Sequence, residues 1–238
     1  MILKDVASGF RLGVVLPKKS FLKAPLKRMI VEFRARSGND MRVLKADGDE
    51  SYVSNDFKAV VDRKSLPKGS KVLRTKWVYD DKKGPDGQIV RFKARLTAMG
   101  NFQREGIDFH ETFASVMRTK TLRCLLQLWN ACADHNMEHW DIKSAFINAV
   151  MEEDIWIEQP DGHHVPGSEG MPCKLNKALY GCRQSGRAWQ KMLTGILEAA
   201  GFKRLIRDQA VYVAHNSQGG WCYVPTHVDD LFVLFNEQ

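Results

Sequence analysis

Tyr223-Val224-Pro225-Thr226-His227-Val228-Asp229-Asp230-Leu231-Phe232-Val233-Leu234-Phe235 sets two adjacent carboxylates between two apolar runs, with no Gly or Asn to make them a plain surface turn. Short apolar runs bounded in this way read as buried strands, here joined at a hairpin tip. Desolvating two aspartates there is costly unless a cation meets them. A divalent metal is the usual answer, and Mg²⁺ favours a few carboxylate oxygens together with phosphate oxygens of a substrate. Taken alone, the Asp-Asp pair is more simply a solvated turn. A third carboxylate in a similar setting changes the reading.

Asp141 is that carboxylate. It closes the extended segment Met137-Glu138-His139-Trp140-Asp141 and precedes Ile142-Lys143-Ser144-Ala145-Phe146. One Asp at a strand end and Asp-Asp at a hairpin tip is an arrangement that binds two metals for in-line phosphoryl transfer.

Composition bounds the alternatives. The 238 residues suffice for one domain with a sizeable core, or one domain plus an arm. No apolar run approaches the roughly 20 residues of a membrane span, and the N-terminus lacks a signal-peptide pattern. Five cysteines (Cys124, Cys132, Cys173, Cys182, Cys222) without C-x-x-C spacing argue for a reducing compartment and against a disulfide framework or a zinc site. His163-His164 fall in a Gly/Pro-rich loop and read as solvated. The net charge of +8 is uneven: residues 1–45 hold eleven Lys or Arg against three acids, and the other 193 residues hold 25 of each sign. Such a basic arm suits phosphate neutralisation on nucleic acid, and at least equally a partly ordered leader or a segment of unrelated origin.

From about residue 60 the pattern sharpens. Lys71–Tyr79 and Ile89–Ala98 read as strands around the turn signal Gly84-Pro85-Asp86-Gly87. On the second strand Val90, Phe92, Ala94 and Leu96 alternate with Arg91, Lys93 and Arg95. The cationic face is either solvated or suited to a nucleotide triphosphate. Thr119 reads as the N-cap of a helix reaching about His135, with Leu122, Leu125, Leu126, Trp129 and Ala133 as its core stripe. Phe146 lies on a short turn and is by itself one more core aromatic. Met151-Glu152-Glu153-Asp154 reads as a solvated acidic cluster. Ser185 reads as the N-cap of a second helix, to Ala200, with Gly201 as its stop. Trp189, Met192, Leu193, Ile196, Leu197 and Ala200 give that helix a sheet-packing stripe, and Arg183 and Arg187 at its start favour phosphate. Asp208–Ala214 and Gly220–Thr226 read as strands around the turn Asn216-Ser217-Gln218-Gly219-Gly220.

With these blocks in place, the chain resembles the reverse transcriptase domain of copia-type LTR retrotransposon Pol polyproteins. The matching blocks are Lys76-Trp77-Val78, Asp86-Gly87, Phe92-Lys93-Ala94-Arg95-Leu96, Gly106-Ile107-Asp108-Phe109 and Glu111-Thr112-Phe113-Ala114. The series continues with Asp141-Ile142-Lys143-Ser144-Ala145-Phe146-Ile147-Asn148, Gln159-Pro160, Cys173-Lys174-Leu175, Leu179-Tyr180-Gly181, Arg187-Ala188-Trp189 and Val228-Asp229-Asp230. The resemblance covers residues 58–238, leaving 1–57 as a basic arm.

The resemblance implies an α+β right-hand polymerase, fingers and palm, whose antiparallel palm sheet is backed by helices. Asp141, Asp229 and Asp230 match its catalytic, metal-holding carboxylates, with Asp229 the firmer ligand. The implied cofactor is Mg²⁺, with Mn²⁺ as a substitute. Phe146 matches the ring that excludes a 2′-hydroxyl, Lys93 and Arg95 the basic fingers on the triphosphate, and Tyr180 and Gly181 the lining of the nucleotide and template pocket. The implied partners are an RNA or DNA template-primer and deoxynucleotides, and the implied location is a cytoplasmic virus-like particle, the nucleus, or both. Four departures stand out. His227 replaces the usual primer-proximal Tyr, Pro225 interrupts the strand before it, Gly186 replaces Pro, and Ala149 replaces Gly. The chain also ends eight residues after Asp230, where the family continues into more palm and a thumb. The expectation is thus a fragment incomplete at its C-terminus, weak or inactive as a polymerase. The alternative is a non-catalytic remnant that binds nucleic acid.

Overall fold

The computed structural model describes residues 58–131, 135–142, 144–217 and 219–236, together with two short strands near the N-terminus. Those two, β1 (Leu3–Lys4) and β2 (Arg11–Leu12), pair antiparallel. The rest of the arm expected over 1–57 lies outside the described residues. In chain order there follow β3 (Lys58–Val60), β4 (Val72–Leu73), β5 (Thr75–Lys83), β6 (Ile89–Ala98) and α1 (Thr119–Ala131). Next come β7 (His135–Asp141), α2 (Ala145–Asn148), β8 (Trp156–Ile157), β9 (Cys173–Leu175) and α3 (Ser185–Ala199). The chain closes with β10 (Lys203–Arg204), β11 (Val211–His215), β12 (Trp221–His227) and β13 (Asp230–Asn236). Mixed helices and strands make this an α+β fold. No helix among the described residues is long and apolar enough to cross a membrane.

The described residues fall into two compact units built from interleaved stretches of chain. The first takes those in Met1–Leu44, Ala114–Ala145 and Gln190–Gln238, the second those in Lys45–Phe113 and Phe146–Trp189.

The first unit is organised by a five-stranded antiparallel sheet of order β10-β11-β12-β13-β7. Leu125 of α1, Val211 and Leu234 form a buried cluster, flanked by Met117, Leu126, Trp129, Leu205, Trp221 and Tyr223. Leu125, Leu126 and Trp129 bear out the expected helix stripe, while Ala133 lies outside the described residues; Thr119 is the first helical residue and His135 already begins β7. Its start is fixed from elsewhere in the unit. Asp208, 5% exposed, accepts the Arg118 N–H through Oδ2 (2.9 Å) and the Ala210 N–H through Oδ1 (3.3 Å). These bonds offset the cost of burying a carboxylate.

Pro225 departs from expectation. Proline is tolerated mainly at sheet edges, yet it lies on β12, an interior strand. The β12–β13 register runs through Cys222↔Phe235 and Tyr223↔Leu234 and resumes at Thr226↔Leu231, passing over Val224 and Pro225. The missing donor thus falls where that ladder is interrupted. Close by, Thr226 restores order by giving both its N–H (2.8 Å) and its hydroxyl (2.9 Å) to Ala210 O.

The second unit holds a four-stranded sheet of order β3-β9-β8-β4 and the separate hairpin β5-β6. The strand expected at Lys71–Tyr79 breaks at Arg74. Its first part, β4, pairs parallel with β8, and its second, β5, runs on to Lys83 against β6. The turn closes as its sequence predicts: Gly87 takes φ +75°, Gly84 N–H bonds Gln88 O at 2.8 Å, and Asp86 Oδ1 accepts the Gln88 N–H at 3.2 Å.

Helix α3 ends in a Schellman turn. Gly201 at φ +94° lets Phe202 N–H reach Leu197 O (2.9 Å) and Gly201 N–H reach Glu198 O (2.9 Å). Its start differs from the sequence reading. Ser185 is the first helical residue, and its hydroxyl donates to Leu179 O at 2.6 Å instead of capping the helix. Gly186, the second helical residue, occupies a first-turn position that also suits a Pro. Cys124, Cys173, Cys182 and Cys222 are free thiols, and burial pushes Cys182 up to about 12. Neither Cys182 nor Cys222, also raised by burial, is poised to react.

Candidate active site

In the first unit the three aspartates come to one end of the sheet. Asp141 ends β7 directly opposite Asp230, the first residue of β13. Directly paired residues of an antiparallel ladder project to the same face, so these two carboxylates share one. His227, the last residue of β12, is paired with Asp230 on its other side. The hairpin between them has only Val228 and Asp229 as its loop. Ile142 N–H donates to Asp229 O at 2.8 Å and ties the two motifs together through backbone.

This junction carries unusual backbone. Among the described residues only Ser144 (φ +52°) and Val228 (φ +57°) are non-glycine residues with positive φ. One lies three positions after Asp141, and the other immediately precedes Asp229. A β-branched residue in that region is an outlier that costs about 1–2 kcal/mol. Such strain persists where surrounding structure fixes it, and it clusters at functional sites. The positive φ at Val228 is what the favoured two-residue hairpin turns require at their first loop position. That turn puts Asp229 at the tip.

The donors are hard carboxylate oxygens, the chemistry that Mg²⁺ prefers. Among the described residues no three His, Cys, Asp or Glu side chains converge tightly enough to hold a metal as they stand. Asp230 is engaged elsewhere: its Oδ1 lies 2.7 Å from His139 Nε2. His139 was not singled out by sequence reasoning. Its position two residues before Asp141, hence on the same strand face, is the signal that could have found it.

On β7, Glu138 projects to the opposite face from His139 and Asp141. Burial pushes its carboxyl above the ordinary value, partly offset by the Trp140 Nε1–H bond to Oε2 at 2.8 Å.

The second unit assembles the other sequence-predicted residues around the end of β6. Phe146, on α2, packs its ring against Tyr180 with centroids 4.9 Å apart and planes inclined by 55°. Tyr180 O accepts the Ala98 N–H at 2.8 Å. Gly181 adopts φ +89°, and a Cβ there would run into Ala98 O and the Thr97 side chain. Only glycine allows that backbone approach. Arg95 and Lys93 lie two residues apart on β6, paired with Val78 and Asp80. Arg95 is half-buried; the Lys93 side chain lies outside what the structure describes. Ala149, buried, bonds Phe146 O and Ala178 N–H, both at 2.9 Å, with no positive φ to demand a glycine.

The two arginines read as phosphate-favouring are otherwise occupied. Arg187 pairs with Glu111 at 2.5 Å, and Arg183 donates to Gly100 O (3.2 Å) and sits over the Phe109 ring. A buried network that sequence did not reveal supports this segment. Gln103 Nε2 donates to Gln184 Oε1 (2.9 Å), Gln103 Oε1 accepts the Arg183 N–H (2.8 Å), and Gln184 Nε2 donates to Asp108 O (3.1 Å).

Comparison with known proteins converges on one family. A family profile described as "Reverse transcriptase (RNA-dependent DNA polymerase)" matches residues 57–238. The "Retrovirus-related Pol polyprotein from transposon TNT 1-94" of Nicotiana tabacum is 34% identical over 194 residues, 82% of this chain and 14% of that protein. The corresponding polyprotein from transposon RE1 of Arabidopsis thaliana is 31% identical over 168 residues, 70% of this chain and 11% of that protein. The "Transposon Ty1-DR4 Gag-Pol polyprotein" of Saccharomyces cerevisiae is 28% identical over 218 residues, 89% of this chain and 12% of that protein. The chain therefore spans about a seventh or less of the length of these relatives.

Proposed function

The chain belongs to the reverse transcriptase (RNA-dependent DNA polymerase) family, and on that premise we propose that its own residues carry RNA-directed DNA synthesis by two-metal nucleotidyl transfer. The observation that carries this reading is the pairing of Asp141 with Asp230 at the strand ends, tied to Asp229 by the Ile142 N–H. Carboxylates from two distant stretches of chain meet on one face next to strained backbone. We read the first unit as the palm and the second as the fingers.

Asp141, Asp229 and Asp230 are the residues that would hold the divalent ions, Mg²⁺ or in its place Mn²⁺. Bound there, such ions supply acidification of the primer 3′-hydroxyl and neutralisation of the departing pyrophosphate. The hairpin tip presents Asp229 apart from Asp230, so the two adjacent acids have unequal roles, with Asp229 the firmer ligand. His227, exposed beside Asp230, takes the primer-proximal place. In the second unit the Phe146 ring, held by Tyr180, packs against the sugar and excludes a 2′-hydroxyl. Gly181 keeps side-chain bulk away from the template and nucleotide, while Lys93 and Arg95 meet the triphosphate. The partners are an RNA or DNA template-primer and deoxynucleotides. The basic stretch within 1–57 adds phosphate contacts. The place of action is a cytoplasmic virus-like particle, the nucleus, or both.

Primer extension on an RNA template with Mg²⁺ tests the reading, with the Asp229→Asn variant alongside. Deoxynucleotide incorporation that the variant loses is the expected result. A template that binds without being extended would move the assignment to a non-catalytic nucleic-acid-binding role.

A further inference from the structure

His139 is fixed from two sides. Its Nε2 lies 2.7 Å from Asp230 Oδ1, and its ring stacks on Phe232 with centroids 4.8 Å apart and planes inclined by only 15°. Strand geometry explains both contacts. His139 is paired directly with Phe232, and Asp141 with Asp230, so the four side chains line one face and His139 reaches Asp230 along the diagonal. With Nε2 as the donor and the carboxylate as the acceptor, the contact is a hydrogen bond along that diagonal. The histidine and aspartate side chains are 52% and 40% exposed, so a hydrated cation can compete for the same oxygen.

We propose that His139 is a positioning residue of the metal centre: it occupies one oxygen of Asp230 and keeps that carboxylate from chelating a cation with both. The proposal rests on the polymerase reading above and deepens it, since it gives the adjacent acids a physical reason for unequal ligation. While the imidazole donates to Oδ1, Oδ2 is the oxygen that Asp230 offers most readily to a cation, and Asp229 becomes the firmer ligand of the adjacent pair. Phe232 beneath the ring fixes its plane, so the donor stays aimed at the carboxylate when the metal leaves. Removing the donor frees Asp230 to chelate. Cation affinity therefore rises, although the arrangement suited to transfer is lost.

Mn²⁺ titration of the 238-residue chain, followed by the electron paramagnetic resonance signal of the free ion, reads this without catalysis. At about pH 8, above the ordinary imidazole range, His139→Ala and His139→Phe should bind Mn²⁺ about threefold tighter, in keeping with the modest worth of a half-exposed charged contact. The Phe variant retains the stack on Phe232, which separates loss of the donor from loss of packing. His139→Gln, whose amide nitrogen can donate to the same oxygen, should match the parent. Unchanged or weaker Mn²⁺ binding in the Ala and Phe variants would overturn the proposal, as would a Gln variant that behaves like them. An Asp229→Asn chain that binds Mn²⁺ as the parent does would overturn the metal reading itself. Asp229-dependent binding indifferent to His139 would overturn this proposal alone.

Discussion

Two glycines with nearly the same backbone angle separate two costs that a sequence cannot tell apart. Gly201 at φ +94° has open space where a Cβ would stand, so Gly201→Ala carries only the left-handed backbone penalty of about 1 kcal/mol. Gly181 at φ +89° faces Ala98 O and the Thr97 side chain. Gly181→Ala must therefore also push strand β6 away from Tyr180, and about 3 kcal/mol or more is expected. Urea unfolding of both variants checks the ranking; equal losses would mean that the approach of Gly181 to β6 is not rigid. The same scale shows what was legible in the residues themselves. Asp141, Asp229 and Asp230 could be picked out as candidates because an Asp-Asp pair between apolar runs draws attention and a third acid at a strand end supports it. Gln103, Gln184 and Asp208 could not, because their roles depend on partners far away in the chain, and His139 only by its place two residues before Asp141. Nothing in the spacing of Gln103 and Gln184 announces a buried amide pair.

At the level of elements, periodicity found the longer strands and helices, and local chemistry misplaced some of their ends. Thr119 and Ser185 are good capping residues by composition, yet the start of α1 is held by Asp208 from another loop, and the Ser185 hydroxyl turns back to Leu179. Capping preference is a local signal that tertiary hydrogen bonds can override. Strand β7 shows how alternation sorts charge: His139 and Asp141 project to one face, and Glu138 to the buried one, where desolvation raises its carboxyl above the ordinary 4.5. The sign of the resulting pH dependence follows directly. Below 4.5 the carboxyl is protonated in folded and unfolded chains alike, so its burial costs little. As pH rises, the unfolded chain releases the proton first, and stability is lost up to the raised folded value and stays lost at neutral pH. Glu138→Gln keeps an acceptor for the Trp140 N–H and removes the charge. It should stabilise the fold near pH 7 and lose that advantage near pH 4, as read from denaturant midpoints at both values. Asp108 acts with the opposite sign. Its bonds to Arg104 lower its carboxyl, so its contribution stands at neutral pH and fades as pH falls through the lowered value.

For the whole molecule, the determining fact is that each unit closes only through distant pairing. The sheet that presents the aspartates joins β7 to β13, and His139 meets Asp230 across 91 positions of chain. Such non-local closure must be complete before any carboxylate is in place, and it slows folding relative to local structure. Charge is distributed by a different rule. Residues 58–238 fall wholly within the 193 that carry equal numbers of acids and bases, and residues 1–45 hold the entire excess of +8. If phosphate neutralisation by that basic stretch supplies most of the grip on nucleic acid, affinity for an RNA–DNA primer-template should fall on deleting residues 1–45. The slope of log affinity against log salt should also flatten, by about 0.7–0.9 for each phosphate that is no longer neutralised. The proposed metal site argues in the same direction, because Asp141, Asp229 and Asp230 at one sheet end would repel a phosphate backbone unless cations covered them. Adding Mg²⁺ at constant ionic strength should therefore restore part of the affinity of the shortened chain, and Asp229→Asn should blunt that recovery. A shortened chain with undiminished affinity and an unchanged salt slope would place the grip on residues 46–238 instead.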